Sequence, residues 1–275
     1  MIFDVLSDLH FDAHFIDPVN TSKKQFQKKF DPLFRDKAGE VLIIAGDLGH
    51  FNDQIMLCLG WLKKLYYPEG EIVCVLGNHD YHLNARTKRD FETPRHRAQD
   101  LRDRINAQDG MHCLDGNIIS IGDVKIGGCD SWYDDVFAKK YFPHTSKKYL
   151  MELWEKWMPD PLYMPDLEDY IAMSDSEKEK IDRIYRDVDI MVTHVNPSLN
   201  NNGAYERSEI SNFYHFDGHR YLEEGNMKYW IFGHSHDKQH QFTQDGVTLI
   251  TNALGSDYYD VKNARLMSFE ITKEE

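Results

Sequence analysis

Short runs of apolar and β-branched residues recur along the chain, and most of them end in Gly, Asp, Asn or His. Several runs do not alternate apolar with polar residues, so they predict strands that are buried on both faces. The predicted strands are Ile2–Leu6, Val41–Ala45, Ile72–Leu76, Ile118–Ile121, Val124–Ile126, Ile190–Thr193, Tyr229–Phe232, Val247–Thr251 and Leu266–Ile271. Gly122 and Asp123 separate two of these runs and predict a two-residue hairpin.

Apolar residues at helical spacing lie between the early strands. The predicted helices are Gln54–Tyr66, a helix that begins at Pro94 after an N-cap at Thr93, Ser146–Met158, and a helix that runs from a capping box of Ser174 and Glu177 to about Asp187. Strands and helices alternate first, and a strand-rich C-terminal third follows. This order indicates a layered α/β domain with mixed sheets.

Helices in the region 133–187 interrupt the alternation, and we predict a helical insertion within a single domain that spans residues 1–275. The stretch Met158–Asp166 contains three prolines, which we interpret as a joint inside the insertion rather than a domain boundary. Three tryptophans accompany the insertion, namely Trp132, Trp154 and Trp157. An aromatic stripe at helical spacing usually packs onto its domain, and the alternative is a lid that stacks on a nucleobase.

Composition excludes several classes of protein. Of the 275 residues, 41% are hydrophobic and 28% are charged, with a mean hydropathy of −0.61. No apolar run approaches the roughly 20 residues of a membrane span, and Asp4 and Asp8 would interrupt the apolar stretch of a signal peptide. The four cysteines form no C-x-x-C pair, which argues against a disulfide framework or a thiolate zinc site and favours the reducing cytoplasm.

The net charge restricts which classes of molecule the protein is expected to bind. A formal charge of −14 disfavours a protein that coats nucleic acid, because phosphate binding needs a cationic face. It does not exclude an enzyme that acts on phosphates through metal ions, since the ions carry their own positive charge. The 14 histidines are an unusual number and could serve as metal ligands.

Polar and ionisable side chains directly follow five of the predicted strands. They are Asp8 and His10, then Asp47, then Asn78, His79 and Asp80, then His194, and finally His234 and His236. Ligand sites in open α/β sheets lie at the carboxyl ends of strands, so we expect these side chains to converge on one crevice. Within Asp8/His10 and within His234/His236, an extended backbone would point both side chains the same way. A glycine precedes Asp47, Asn78 and His234, and permits a tight turn and a close approach.

This set of potential ligands offers oxygen and nitrogen without sulfur, which suits Mn, Fe or Zn. Seven ligands drawn from these nine side chains would be too many for one ion and would suit two ions that share a bridging carboxylate. Each short motif alone occurs by chance in many chains. All five in this order, each directly after a strand, indicate a metal site.

The order D-x-H, G-D, G-N-H-D, a later His and G-H-S-H resembles the signature of the calcineurin-like metallophosphoesterase superfamily, and the motifs span residues 8–236. The resemblance implies a four-layer α/β/β/α sandwich. It implies that Asp8, His10 and His236 hold one metal, that Asn78, His194 and His234 hold the other, and that Asp47 bridges the two. It also implies that His79 is not a ligand and faces the substrate.

The chain departs from the motifs of two branches of this superfamily, which narrows the branch it could resemble. The Ser/Thr protein phosphatase branch has a second Asp and an Arg after G-D, whereas this chain reads GDLGHF, with His50 where that Asp would stand. The same branch ends its next motif in Glu, where Asp80 stands here, and the partner that would orient His79 is therefore not evident. The double-strand-break nuclease branch has Trp where Leu9 stands. The chain looks most similar to bacterial and phage phosphoesterases.

The implied activity is hydrolysis of phosphate esters, with phosphodiesters of small molecules or nucleotides favoured, and with two divalent ions, Mn first and Fe or Zn as alternatives. A hydroxide that bridges the metals would attack phosphorus, and His79 would stabilise the transition state or protonate the leaving oxygen. His50, His82 and Arg207 are candidate substrate contacts, although a single Arg in a polar loop is usually only solvated.

Two alternatives remain open. A nuclease would use the same chemistry on DNA or RNA, but the acidic charge counts against it. A catalytically inactive scaffold that binds proteins would have eroded ligands, whereas all seven ligand positions and His79 are intact here. We expect a phosphate-ester substrate and no membrane partner, and the oligomeric state does not follow from the sequence.

Overall fold

The computed structural model describes residues 1–15, 21–200, 207–255 and 264–272. Within these ranges the strands are β1 Ile2–Leu6, β2 Val41–Ala45, β3 Glu71–Val75, β4 Met111–Cys113, β5 Asn117–Ile121, β6 Val124–Gly128, β7 Ile190–Val192, β8 Tyr229–Phe232, β9 His240–Gln244, β10 Val247–Thr251 and β11 Met267–Glu270. All of the predicted strands are present, four of them with the predicted bounds.

The strands form two mixed sheets. The first has the order β11-β1-β2-β3-β4, in which β1 to β4 are parallel and β11 is an antiparallel edge. The second has the order β5-β6-β7-β8-β10-β9, with the inner four strands parallel and both edges antiparallel. Ile121 pairs with Val124 across the predicted hairpin, so Gly122 and Asp123 form its two-residue turn.

Helices cover the outer faces of the sheets. In the described residues the α-helices are α1 Phe11–His14, α2 Lys23–Phe30, α3 Asn52–Tyr66, α4 Pro94–Asn106, α5 Val136–Tyr141, α6 Lys147–Trp157, α7 Asp160–Tyr163, α8 Tyr170–Asp182 and α9 His219–Glu224. Short 3-10 turns cover Asn78–Asp80, Thr87–Arg89 and Glu209–Tyr214. Helices α5 to α8 lie between β6 and β7 in the chain, where the sequence predicts the insertion.

Strand β2 shows why the fold has four layers. Alternate residues of a strand point to opposite faces. Val41 and Ile43 belong to an apolar cluster that includes Ile190 of β7, so this face packs against the second sheet. Leu42 belongs to the cluster that contains Leu59 of α3, so the other face packs against helices. Every residue of β2 is buried as a result, and the α/β/β/α sandwich agrees with the expected fold.

The predicted helix starts are partly right. Thr93 caps α4 by accepting a hydrogen bond from the His96 amide, as the sequence predicts. The predicted start at Ser174 is wrong, because α8 begins at Tyr170 after an N-cap at Asp169 and ends at Asp182. Ser174 is buried in the middle of that helix, so its hydroxyl and the Glu177 carboxylate serve tertiary hydrogen bonds instead of a helix cap.

Two further observations agree with the composition. All four cysteines are buried free thiols. None of the helices in the described ranges is both long enough and apolar enough to cross a bilayer.

Candidate metal centre

The seven predicted ligands gather where the carboxyl ends of both sheets meet. Strands β1, β2 and β3 lead into Asp8 and His10, Asp47, and Asn78, while β7 and β8 lead into His194, His234 and His236. One group consists of Asp8, His10, Asp47 and His236, and a second of Asp47, His194 and His234. Within each group the potential ligand atoms all lie within 4.8 Å of one another. Asn78 joins the second group, with Oδ1 3.2 Å from His194 Nε2.

Asp47 stands between the two groups and faces both. Its Oδ2 lies 3.5 Å from His10 Nε2, and its Oδ1 lies 3.4 Å from His194 Nε2. In the first group His10 Nε2 and His236 Nε2 are 3.2 Å apart. Two donors bound to one tetrahedral ion at about 2.1 Å lie roughly 3.4 Å apart. The observed spacing therefore fits two metal ions that share one carboxylate.

The backbone at the predicted ligands differs from the expectation. Five of them have positive φ in place of an extended backbone, namely Asp8 (52°), His10 (39°), Asp47 (55°), His234 (66°) and His236 (56°). The expectation that spacing by two along an extended chain aligns these side chains is wrong. The chain instead turns sharply as it leaves each strand. Left-handed residues other than glycine cost free energy and are concentrated at functional sites.

Two glycines permit the close approach that the sequence predicts. A Cβ at Gly77 would lie 2.2 Å from Asp47 Oδ1, and a Cβ at Gly46 would lie 2.4 Å from His194 Nδ1. Gly46 also has a φ of +83°. Any other residue at either position would displace a predicted ligand.

Backbone carbonyls orient two of the imidazoles. His194 Nδ1 donates to the Ala45 carbonyl at 2.8 Å, which leaves Nε2 directed at Asp47. His234 Nε2 donates to the Phe213 carbonyl at 2.9 Å, which leaves Nδ1 as the unprotonated nitrogen. A hydrogen bond of this kind fixes the tautomer and the ring orientation of a metal-binding histidine.

The carboxylates of this site have histidines, and neither Lys nor Arg, as their ion-pair partners in the described residues. Asp8 and Asp47 are buried, and neither forms an ion pair with a Lys or Arg in the part of the chain that the structure describes. Burial raises the pKa of Asp47, but the charge of His194 outweighs it and holds that pKa well below its usual range. Burial likewise lowers the pKa of His194, but Asp47 outweighs it and raises that pKa to about 10. Buried anionic charge of this kind needs compensation, which divalent cations would supply.

A chain of hydrogen bonds lies behind His79. Its amide donates to Asp47 Oδ1 at 2.9 Å, and its ring Nδ1 lies 3.1 Å from His50 Nε2. His50 Nδ1 lies 2.9 Å from Asp12 Oδ2, and the His50 amide donates to Asp12 Oδ1. Burial raises the pKa of Asp12, but its hydrogen bonds and ion pair with His50 lower that pKa to about 2. His50 and Asp12 thus occupy the orienting position that the sequence left without a residue.

The buried carboxylate of Asp160 is a second residue that the sequence reasoning missed. Its Oδ1 accepts hydrogen bonds from Asn78 Nδ2 at 2.8 Å and from His82 Nε2 at 2.7 Å, and its Oδ2 accepts one from the Tyr133 hydroxyl at 2.5 Å. Burial raises its pKa, but the bonds from His82 and the other donors lower it overall. Asp160 is one of two Asp residues in the proline-rich stretch Met158–Asp166, and no motif identifies it.

Of the three predicted substrate contacts, only His50 is both next to His79 and partly exposed. His50 is half-buried beside that ring. His82 is fully buried and bonds to Asp160, which gives it a supporting position, and its contact with substrate stays a prediction. Arg207 is exposed and stacks its guanidinium 4.2 Å from the Tyr141 ring centroid, and its contact with substrate stays a prediction.

Helix α4 contributes a buried arginine that bonds to the backbone of the loops carrying the site. Arg97 is fully buried and donates to the carbonyls of His79 at 2.8 Å and of Gly49 at 2.7 Å. Asp80 accepts from the amides of Gly77, Leu48 and Gly49 at 2.8 to 3.0 Å. The loops after β2 and β3 are therefore fixed to each other below His79.

A cavity of about 440 Å³ opens on the metal side of this cluster. Asp47, Asn78, His79, His234 and His236 line its floor. Residues of the inserted segment and of the 3-10 turn Glu209–Tyr214 form the walls, among them Trp157, Met158, Pro159, Ile210 and Tyr214. The inserted helices thus border the space next to the predicted metals.

The model of the family described as calcineurin-like phosphoesterase matches residues 1–238. The chain belongs to this family. A calcineurin-like phosphoesterase is a metal-dependent phosphoester hydrolase, and the donor groups around Asp47 provide a place for the metals. None of the curated protein sequences is significantly similar to the chain.

Solved structures share the fold of this calcineurin-like phosphoesterase. Phosphopantetheinyl hydrolase (PptH) from Mycobacterium tuberculosis is similar with a TM-score of 0.69 and 17% identity, over 92% of this chain and 89% of that one. TT1561 of Thermus thermophilus is similar with a TM-score of 0.51 and 9% identity, over 98% of this chain and 97% of that one. At these identities the similarity concerns the fold.

Proposed function

We propose that this phosphoesterase hydrolyses small phosphate esters with two divalent cations at the centre around Asp47. Asp8, His10 and His236 would hold one cation, Asn78, His194 and His234 the other, and Asp47 would bridge them. The observation that carries the proposal is that the two oxygens of one buried carboxylate face two separate groups of donors. Oxygen and nitrogen donors suit Mn first, with Fe or Zn as alternatives.

Bound cations of this kind polarise phosphoryl oxygens and lower the pKa of water to near neutrality. The chain's own contribution is the placement of His79. Its amide is bonded to Asp47 and its Nδ1 faces His50, so its Nε2 is the ring nitrogen left for the substrate. Because Nδ1–H already donates to His50, donation from Nε2 needs the doubly protonated ring. In that form we assign His79 to give its Nε2 proton or a hydrogen bond to the leaving oxygen, which is worth about 10²–10⁴-fold in rate.

We propose phosphodiesters of small molecules or nucleotides as the substrates. The cavity volume of about 440 Å³ is in the range of small-molecule sites. Phosphopantetheinyl esters are one further substrate to assay, because a structural neighbour is named as a phosphopantetheinyl hydrolase. The buried free thiols support the cytoplasm as the compartment.

A nuclease is the second candidate, since the chemistry at phosphorus would be the same. A charge of −14 counts against it, because binding to nucleic acid relies on Lys and Arg contacts with phosphates. A nuclease would hydrolyse DNA or RNA with an activity that falls steeply as salt rises.

The test compares hydrolysis of bis-p-nitrophenyl phosphate and p-nitrophenyl phosphate by chelator-treated protein, with and without added Mn²⁺. We expect activity that returns with metal and that Asp47→Ala abolishes, with the diester hydrolysed faster. Binding of two metals without hydrolysis of any phosphate ester would contradict the proposal, and failure to bind metal would favour the scaffold interpretation.

A further inference from the structure

We infer that the cavity beside Asp47 contains a subsite for a planar aromatic group of the phosphoester, with Trp157 as its platform. The inference rests on the proposed function, since the phosphoryl group would occupy the floor of the same cavity. It extends that function by naming the chemical class of the substituent.

The tryptophans that accompany the insertion divide into two kinds. Trp132 and Trp154 are 2% and 3% exposed, so both pack into the core, as the sequence interpretation favours. Trp157, at the end of α6, is 56% exposed and lines the cavity. The ammonium of Lys156 lies over its ring, 5.0 Å from the centroid, which is a cation–π contact. Aromatic side chains that line a cavity are common contacts of small-molecule ligands.

The apolar wall continues from Trp157 to the proposed metal ligands. Met158 lines the cavity next to it, and Ile210 and Tyr214 line it from the 3-10 turn Glu209–Tyr214. The Tyr214 ring centroid lies 5.2 Å from that of His234. A substrate with its phosphoryl group at the floor would therefore present its substituent to aromatic and aliphatic side chains.

Charge limits what that substituent can be. Among the described residues that line the cavity, none is Lys or Arg. Apart from the Lys156 ammonium over the Trp157 ring, a second phosphate would find no cation among the described lining residues, so polyphosphates and nucleic acid strands fit poorly. Ser208 and Ser211 add hydroxyl groups that can bond to polar edges of a ring. The favoured class is a phosphoester with a single phosphate and an uncharged planar ring, such as a nucleobase.

The test compares two phosphonates that share the anionic head and differ in the substituent, phenylphosphonate and methylphosphonate. Calorimetric titration of the Mn²⁺-loaded full chain gives the two dissociation constants, and their ratio is the readout. Stacking on an aromatic side chain contributes about 1–3 kcal/mol per ring, so we expect phenylphosphonate to bind roughly tenfold more tightly.

Trp157→Ala should bring the ratio of the two constants close to one, and Trp157→Phe should retain most of the preference. Leu162→Ala is the matched control, because Leu162 is another apolar residue of the insertion, is 68% exposed and does not line the cavity. It should leave the ratio unchanged. Equal affinities in the unmodified protein, or a preference that survives in Trp157→Ala, would overturn the subsite.

Competition against metal-dependent hydrolysis separates the two proposals. If methylphosphonate inhibits and phenylphosphonate has no advantage, the subsite is wrong and the phosphoesterase proposal stands. If neither compound binds the metal-loaded protein and no phosphate ester is hydrolysed, both proposals fail together.

Discussion

The carboxylate of Asp160 accepts a hydrogen bond of 2.8 Å from the side-chain amide nitrogen of Asn78. That bond directs the amide oxygen of Asn78 to His194, where it lies 3.2 Å from Nε2. Asp160 belongs to the inserted segment, whereas Asn78 follows β3 of the first sheet. The insertion therefore does more than border the cavity, because it also determines which atom of Asn78 faces the donor group of His194.

Asp160→Ala should weaken metal binding. The Asn78 amide would lose the partner that fixes its orientation, and loss of such a supporting group costs about 10–100-fold in metal affinity. Asp160→Asn keeps an acceptor of the same shape and should lose less. Calorimetric titration of chelator-treated protein with Mn²⁺ measures both effects.

Tyr133→Phe is the control for this prediction, because it removes a hydrogen bond to the other oxygen of Asp160 without touching Asn78. Its melting temperature should fall while its Mn²⁺ affinity changes little. An Asp160→Ala protein that is folded and binds Mn²⁺ as tightly as the unmodified protein would show that Asn78 needs no such support.

His50 should matter most for substrates with poor leaving groups. An alkoxide leaves only with a proton, whereas p-nitrophenolate leaves without one, so a defect in proton donation by His79 affects the first far more. We expect His50→Ala to lower kcat on an alkyl phosphate ester by at least about tenfold more than on a p-nitrophenyl ester. Steady-state rates on the matched pair of esters provide the measurement.

His50→Gln is the informative companion variant, since its amide oxygen can still accept a bond from His79 Nδ1. It should recover part of the rate on the alkyl ester. Equal losses on both esters in His50→Ala would mean that His50 only supports the local structure and has no part in orienting His79.

The continuous apolar runs explain why so much of the fold is predictable. Strands β1, β2, β8 and β10 have the predicted bounds, because each is an apolar run that ends at a turn residue. Strands β4 and β9 escaped prediction. Met111–Cys113 has only three residues, and His240–Gln244 is mostly polar. Both are edge strands that exist through pairing with a neighbour, which local sequence does not encode.

The site likewise contains residues that local sequence motifs predict and residues whose roles depend on contacts with distant parts of the chain. The proposed ligands follow strand ends in recognisable motifs, so their convergence could be expected from the sequence. Asp12 and Asp160 are single carboxylates outside those motifs, and their roles arise from contacts across 38 residues to His50 and 82 residues to Asn78. The left-handed backbone at Asp8 and Asp47 could not be predicted either, because only glycine is a sequence signal for that conformation.

Substitution of Asp47 should abolish both metal binding and catalysis, whereas substitution of His79 should impair catalysis alone. Asp47→Ala removes the carboxylate shared by both donor groups, so we expect loss of metal and loss of activity. His79→Ala should keep two metals per chain and lose about 10²–10⁴-fold in kcat. Metal content by atomic emission, measured beside the rate, distinguishes the two. If His79→Ala lost metal as completely as Asp47→Ala, His79 would have to be a ligand.

Acid should destabilise the protein partly through His215, which is buried and is not one of the proposed ligands. Its ring stacks on Phe137 with centroids 4.7 Å apart, and its Nδ1 donates to the Ser198 carbonyl at 2.8 Å. Burial lowers its pKa from 6.5 to about 4. The neutral ring therefore favours the folded state above pH 6.5, and this contribution is lost as pH falls toward 4.

The difference between the two pKa values corresponds to about 3 kcal/mol in the free energy of unfolding. Urea denaturation of metal-free protein from pH 7.5 to 4 should show a smaller fall for His215→Phe than for the unmodified chain. His144→Gln, at an exposed histidine, should follow the unmodified chain. If the free energy of unfolding fell with pH equally in His215→Phe and in the unmodified protein, the acid sensitivity would come entirely from other groups. That result would contradict the role assigned to His215.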